Sequence, residues 1–136
     1  MPAARRSVPP SRSAFSYAVV RVVPDIEREE FLNAGLILFC RPQRYLAART
    51  HLDVDALASL GGGGDLEAIG EQLAFVEALA AGTVSSGPFA AMSQSERFHW
   101  LTTPRSTVVQ PGPLHPGTTE DPAATFEHLY RVLVER

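Results

Sequence analysis

Residues 34–52 read AGLILFCRPQRYLAARTHL, and this stretch decides the fold of the chain. Its first part, Ala34 to Arg41, is apolar on both alternating faces, which is typical of a central strand covered on both sides. Arg41-Pro42-Gln43-Arg44 is a short turn with proline at a favoured position. Tyr45 to Leu52 returns as a further strand. The two strands therefore predict an antiparallel hairpin.

The residues before this hairpin predict one more strand. Phe15 to Val23 are rich in β-branched and aromatic residues and stop at Pro24. Asp25 to Asn33 place acidic side chains around a few apolar ones and suit a helical turn or a short helix. Residues 1–13 consist mainly of Ala, Arg, Ser and Pro. They bury too little to offset their ordering entropy, so we expect a mobile tail.

After the hairpin the pattern becomes helical. Asp53 to Leu60 predict a weak helix, which ends at the four glycines of residues 61–64. These glycines are interpreted as a linker, because a phosphate-binding P-loop would need a Lys-Ser/Thr continuation. Asp65 then caps the strongest helix of the chain, and Gly82 ends it. The apolar stripe of this helix is Leu66, Ile69, Leu73, Val76 and Ala80.

Two shorter helices complete the pattern. Ser93 to Glu96 match a capping box, which opens a helix that must end before Pro104. Thr107 to Gln110 predict a short strand, and residues 111–117 a loop around His115. Asp121 and Pro122 begin the closing helix, whose apolar stripe is Phe126, Leu129 and Leu133. The order of elements predicts one α+β domain over residues 14–136, a small antiparallel sheet packed with helices.

Composition narrows the classes of function. A chain of 136 residues fits one domain, and a net charge of -3 makes nucleic acid an unlikely partner. No run of some 18 apolar residues is present to span a membrane. Arg5 and Arg6 are not followed by the apolar region of a signal peptide, so we expect a cytoplasmic protein.

All twelve basic residues are arginine, which is typical of GC-rich bacterial codon usage. Lysine Schiff-base chemistry is thereby excluded, and anions must be recognised by Arg, backbone amides or hydroxyls. Cys40 is the single cysteine and lies in an apolar run, so we expect a buried, inert thiol and no disulfide. The four histidines lack metal-ligand spacing, and no cofactor is implied.

Two separated motifs carry a family resemblance. Phe15 to Cys40 contain YAVVR and REEFLNAGLILFC, and Ser95 to Gln110 contain SERFHWL followed by PRSTVVQ. Together they resemble the bacterial domain-of-unknown-function family 3037, over nearly everything after the tail. The resemblance implies no activity, cofactor or catalytic residue. It does imply a protein partner, with a kinase similar to the HipA type as one candidate.

Polar side chains that could bind a ligand or partner crowd into residues 97–115. Arg105, Ser106 and Thr107 offer a guanidinium fork and two hydroxyls, which suit a phosphate or a carboxylate. The same hydroxyls are also ordinary loop chemistry, and Trp100 can equally be a core anchor. The candidates from this segment are Arg97, Trp100, Arg105, Ser106, Gln110 and His115.

A second group lies on the predicted sheet. If the first and third strands expose their odd-numbered faces together, Arg21, Arg49 and His51 share a surface with Tyr17 and Tyr45. Charged residues at inward strand positions would be costly, so this face is expected to be either a basic groove or solvent. The plainer alternative is a solvated face with salt bridges to Glu29 or Glu30.

Clustered carboxylates at Asp25, Glu27, Glu29 and Glu30 are interpreted as a solvated acidic turn rather than a Mg²⁺ site.

These features lead to a working hypothesis and a rival. The absence of enzyme motifs, together with the resemblance, favours a non-catalytic interaction or regulatory module that uses residues 97–115 and the adjoining sheet face. The rival is a small enzyme or binder for a phosphorylated ligand, in which at least two of Arg21, Arg49 and Arg105 converge in one pocket. A homodimer through the sheet or its edge is a further option.

Overall fold

The computed structural model of the chain describes residues 11–61 and 64–135, apart from the side chain of Ile26. In this part five strands form one sheet, with α-helices on both faces. The strands are β1 (Ser13–Asp25), β2 (Glu30–Cys40), β3 (Tyr45–Thr50), β4 (Val109–Pro111) and β5 (His115–Thr119). The helices are α1 (Val54–Ser59), α2 (Leu66–Ala81), α3 (Gln94–Thr102) and α4 (Pro122–Tyr130), and a π-helical turn (Arg131–Glu135) follows α4.

The sheet is antiparallel and runs in the order β3-β2-β1-β4. Strand β1 is long enough to pair with two strands along its other edge: β5 beside its first half and β4 beside its second half. Tyr17 is paired with Leu38, and Leu38 with Ala47, so three strands are in register at the centre. The predicted hairpin of β2 and β3 and the predicted α+β class are both confirmed.

Strand β2 is buried on both faces, as its sequence predicts. Leu36 and Leu38 contact a core that includes Phe126 and Tyr130 of α4, while Ile37 belongs to the core formed with α2 and α3. Each of the three β2 side chains is at most 1 % exposed. Burying one such side chain contributes about 1.5–3 kcal/mol. Cys40, at the end of β2, is fully buried as expected.

The helix ends follow the sequence signals. Asp53, Asp65 and Asp121 each accept a hydrogen bond from the backbone N–H three residues later. The capping box of Ser93 and Glu96 is formed in both directions, and Gly82 ends α2 with a φ of 76°. These caps satisfy end amides locally, which is why the sequence predicts them well.

Of the two alternatives for residues 25–33, the helical turn is observed and a short helix over the whole segment is wrong. Only Ile26–Arg28 are helical, as one 3-10 turn, and β2 already begins at Glu30. Glu29 adopts a left-handed conformation with a φ of 55°, which ends the turn. Asp25 then pairs with Glu30, and Val22 with Leu32. Strand pairing is favoured over a longer helix in this segment because a nine-residue helix is only marginally stable by itself.

The predicted loop over residues 111–117 is also wrong in its second half, because His115–Thr119 form β5. A proline is tolerated there because β5 lies at the sheet edge, where the missing N–H of Pro116 costs no ladder bond. Gly117 is required by β1: a Cβ at this position would lie 2.5 Å from Cζ of Phe15. Strand β4 begins at Val109 rather than at the expected Thr107.

Strand β1 begins at Ser13, two residues before the expected Phe15, because it pairs with Thr119 of β5. Arg12 precedes it and donates a hydrogen bond of 2.6 Å to the carbonyl oxygen of Thr118. A mobile tail is predicted for residues 1–13, of which residues 1–10 lie outside the described part of the chain. Residues 62–63 of the predicted linker lie outside it as well. Among the described helices, none is both long and apolar enough to cross a bilayer.

Gly35 provides a test of the central strand pair. A Cβ at Gly35 would lie 2.8 Å from the carbonyl oxygen of Arg49 and 2.9 Å from Cγ2 of Thr50. We expect Gly35→Ala to lower the free energy of unfolding by about 1–3 kcal/mol, because β3 must shift. The control is Gly70→Ala in α2, where a Cβ meets nothing within 4 Å. This substitution should raise the free energy of unfolding by about 0.5–1 kcal/mol. Urea unfolding measures both, and an unchanged midpoint for Gly35→Ala would contradict this register.

Candidate functional site

An open groove lies between α2 and the segment that follows α3. Its floor is apolar and its rim is polar, with a volume of about 330 Å³. The floor consists of Phe75, Val76, Trp100 and Val109, and the rim of Glu71, Gln72, Arg105 and Thr107. We call this set of residues the Trp100 groove. It contains the middle of the predicted 97–115 segment.

Trp100 is the only tryptophan of the chain and forms one wall of the groove. Its half-buried ring stands edge-on against Phe89 and Phe75, with centroid distances of 5.0 and 5.8 Å. Edge-to-face pairs of this kind are favourable because the positive ring edge meets the negative ring face. Trp100 is thus a structural anchor that leaves part of its surface in the groove.

Arg105 lies over the Trp100 ring, with its Cζ 4.3 Å from the ring centroid. Its Nη2 donates to the carbonyl oxygen of Trp100, and its Nε donates to that of Thr103 at 3.2 Å. The guanidinium therefore caps the last carbonyls of α3, where a cation is favoured by the helix dipole. These bonds hold Arg105 in one orientation at the groove rim.

The neighbouring hydroxyls follow the plainer alternative. Thr107 donates from Oγ1 to the carbonyl oxygen of Val109 at 2.7 Å, which is an ordinary loop contact. Ser106 is exposed to solvent. Gln110 donates from its side-chain amide to the carbonyl oxygen of Thr107 at 2.7 Å. The hydroxyl of Thr107 is thus already engaged, whereas anion binding by Arg105 and Ser106 stays a prediction.

Arg97 lies away from the groove and stabilises the fold. Its Nη1 donates to the carbonyl oxygen of Met92 at 2.9 Å. Its guanidinium rests against Gly82, where an added Cβ would lie 3.3 Å from Nη2. A cation at this end of α2 is favoured by the helix dipole. Arg97 is therefore placed as a clamp between α2 and α3.

Arg49 is bound to α4 rather than to the acidic turn. Its Nη1 and Nη2 donate to the two carboxylate oxygens of Glu127 at 2.9 and 2.6 Å. Its Cζ also lies 4.8 Å from the centroid of the Tyr130 ring. The expected salt bridges to Glu29 or Glu30 are wrong: Glu30 is 2.9 Å from Arg28 instead. Helix α4 covers this part of the sheet and brings its own carboxylate.

His51 lies just beyond β3 and is exposed. It lines a polar cavity of about 390 Å³ together with Arg49, Asp53, Tyr130 and Glu135. Burial raises the pKa of Tyr130, so its hydroxyl stays protonated at neutral pH and can only donate or accept a hydrogen bond. The hydrogen bond between Arg49 and Glu127 raises the pKa of Arg49 and lowers that of Glu127.

The other half of this sheet face is open. Helix α4 and the turn after it pack on β2 and β3, which leaves side chains of β1 and its edge partners accessible. Arg21 lies over Phe31, with its Cζ 3.9 Å from the ring centroid. Gln110 is the ladder partner of Arg21 and shares its face. His115 stacks on Tyr17 at 5.1 Å. We call Tyr17, Arg21, Phe31, Gln110 and His115 the open face.

The arginines do not meet in one cleft. Arg97 and Arg105 lie on the side of α2 and α3, whereas Arg49 is bound to α4 on the opposite side. Arg21 shares that side with Arg49, but its neighbours are Phe31 and Gly112. The convergence required by the phosphate-ligand hypothesis is therefore not observed for Arg21, Arg49 and Arg105.

The acidic turn holds itself together. Asp25 accepts a hydrogen bond from the backbone N–H of Glu27 at 3.0 Å, and Glu30 pairs with Arg28. Within residues 11–61 and 64–135, no three His, Cys, Asp or Glu side chains are placed to hold one metal ion. That these carboxylates form a solvated acidic turn stays a prediction.

The sequence does not indicate the role of three residues that shape these sites. Phe75 falls outside the apolar stripe of α2, and such an off-stripe aromatic can indicate a neighbour that packs on it. Phe31 was assigned to a helix rather than to β2. Glu127 carries no signal, because its contact with Arg49 spans 78 residues.

Comparison with known proteins adds a family. A family model described as "Protein of unknown function (DUF3037)" matches residues 17–134. This confirms the resemblance carried by the two sequence motifs. No curated protein and no solved structure matches the chain.

The ion pair of Arg49 and Glu127 predicts a pH-dependent stability. Because the folded pKa of Glu127 is lowered, the pair stabilises the fold above the unfolded pKa, and this contribution is lost as the pH falls through the folded pKa. We expect the stability advantage over Glu127→Gln to be present at neutral pH and to vanish in acid. Urea unfolding of both proteins at stepped pH measures it.

The control is Glu120→Gln, whose single contact with Arg12 is 3.5 Å long and should give a smaller pH-dependent difference. A difference between the original chain and Glu127→Gln that stays constant from neutral to acid pH would show that the pair is not formed in solution.

Proposed function

The chain belongs to the DUF3037 family, and on that premise we propose that it is a non-catalytic interaction module that binds a protein partner in the Trp100 groove. The partner places an apolar side chain on the floor formed by Phe75 and Trp100. A carboxylate of the same partner meets Arg105 at the rim.

One observation carries this proposal: an open apolar groove is walled by Trp100 with Arg105 stacked on its ring. Tryptophan and arginine are the residues most often found at the energetic centres of protein interfaces. An apolar floor with a polar rim is also the usual anatomy of such a surface. The volume of about 330 Å³ is at the lower end of the usual range of binding pockets, which favours insertion of a side chain.

The rigidity of the groove supports binding. Phe75 and Phe89 hold Trp100 from two directions, and two backbone carbonyls hold Arg105. Since these side chains are ordered without a ligand, little conformational entropy remains to be lost when a partner binds. The first partner to test is the kinase that the family resemblance implies, and its binding would give the module a regulatory role.

A second candidate rests on the cavity beside His51. Arg49 and His51 line it together, so one arginine of the phosphorylated-ligand hypothesis lies beside a histidine, although the second arginine that this hypothesis expects is absent from the described residues of the cavity. However, both terminal nitrogens of Arg49 are bonded to Glu127, so a phosphate would have to displace a carboxylate. A titration with inorganic phosphate, followed by the ring resonances of His51, separates this candidate from the first.

The Trp100 groove is tested by site-specific photo-crosslinking from the rim residue Gln72 in the native host. We expect Gln72 to crosslink one protein through a segment that contains an acidic residue. Arg105→Glu should weaken binding of that purified protein at least about tenfold, since a charge-assisted contact becomes repulsive. Arg131→Glu, a matched change at an exposed arginine of the C-terminal turn, should leave binding unchanged.

The fluorescence of Trp100 reports occupancy of the groove directly, because no other tryptophan contributes. Gln72→Arg blocks the groove without altering Arg105 and guards against an effect of Arg105→Glu on folding. Equal affinities for the original chain and both groove variants would contradict the proposal, as would crosslinks from Gln72 no stronger than those from a benzophenone placed at exposed Glu67.

A further inference from the structure

The open face contains an arginine without an ion pair to any described residue. Arg12, Arg28 and Arg49 each have a carboxylate within 3.5 Å. Arg21 has no such carboxylate: it is half-buried in β1, and its buried Nε, like the Nε of Arg97, has no hydrogen-bond partner among residues 11–61 and 64–135. A partly buried cation without a counter-charge is costly, and native folds rarely keep such a group without a use for it.

The side chain of Arg21 is held in a slot. The ring of Phe31 lies 3.9 Å from its Cζ on one side. Gly112 closes the other side, where an added Cβ would lie 3.1 Å from Nε and 3.2 Å from Cζ. A Cβ at position 112 would require this guanidinium to move by a few tenths of an ångström. Arg21 is thus oriented before any ligand arrives, which removes an entropic cost of binding.

The surroundings of the slot combine polar and apolar side chains. The cross-strand partners of Arg21 are Asn33 and Gln110, which can form hydrogen bonds but carry no charge. Phe31 is 43 % exposed, and Leu114, two residues after Gly112, is 52 % exposed. Further along β1, the stacked rings of Tyr17 and His115 continue the same face. A fixed cation between exposed apolar side chains complements a carboxylate that carries apolar neighbours. A phosphate, by contrast, is best held by donors from several converging side chains, whereas this slot contains a single arginine.

We propose that Arg21 anchors a second binding site, which takes an acidic peptide segment across the open face. The carboxylate of an Asp or Glu side chain is held by the terminal nitrogens of Arg21, and its apolar neighbours cover Phe31 and Leu114. The site lies on the opposite side of the sheet from the Trp100 groove and does not depend on it.

The test is NMR of the full chain, observing the Nε–Hε signal of Arg21, which burial protects from exchange with water. The probes are acetyl-Phe-Glu-Leu-amide, the matched peptide with Gln in place of Glu, and inorganic phosphate. We expect a saturable shift with the Glu peptide and at least about tenfold weaker binding of the Gln peptide, because the charge-assisted contact is lost. Arg21→Gln should remove the difference between the peptides, and Arg44→Gln, at an exposed arginine far along the sheet, should keep it.

Gly112→Ala provides a second variant, because its Cβ would displace the Arg21 guanidinium within the slot without changing its charge. It should weaken binding of the Glu peptide while leaving the fluorescence of Trp100 and crosslinking from Gln72 unchanged. Failure of this inference is therefore distinguishable from failure of the groove proposal. Three results would overturn the inference: equal affinities for the Glu and Gln peptides, no shift of the Arg21 signal with the Glu peptide, or tighter binding of phosphate than of the Glu peptide.

Discussion

The two-sided burial of β2 is the constraint on which the rest of this structure depends. Leu36 and Leu38 need an apolar cover on one face of the sheet, and Ile37 needs one on the other. The two faces of the sheet are covered to different extents. Helices α2 and α3 cover one face, while α4 and its following turn cover β2 and β3 on the other. Helix α4 packs less on β1, β4 and β5, although Phe15 of β1 is buried in the same core cluster as Phe126, and this asymmetry creates the open face.

The arginines divide according to the same constraint. Arg49 ties α4 to β3, Arg97 ties α3 to the end of α2, and Arg105 closes the end of α3. Each is therefore occupied first in holding a helix, while Arg105 also lines the Trp100 groove and Arg49 also lines the cavity beside His51. Arg21 holds no helix, since none lies above it. An all-arginine chain can use one residue type for both tasks, because the guanidinium caps carbonyls, pairs with carboxylates and stacks on aromatic rings.

The candidate site was predictable where the signal was local. Trp100 and Arg105 are five residues apart at the end of a predicted helix, and the structure brings them together at 4.3 Å. The groove itself was not predictable, because Phe75 and Val76 come from a helix whose position over that segment is set by the whole core. The partner of Arg49 was assigned to nearby Glu29 or Glu30, whereas the real partner is 78 residues away.

By itself the sequence determined the β2–β3 hairpin, the helix caps and the start of each helix, because their hydrogen bonds join residues a few positions apart and their apolar periods repeat within one element. Only the tertiary structure decided that Glu30–Asn33 join β2, that His115–Thr119 become a strand, and on which face each arginine lies. For β5 and for the arginines that bind helices, the deciding contact comes from an element distant in sequence, whereas Glu30–Asn33 pair with the end of β1 a few residues before them. The pairing energy of such distant elements outweighs weak local preferences for helix or loop.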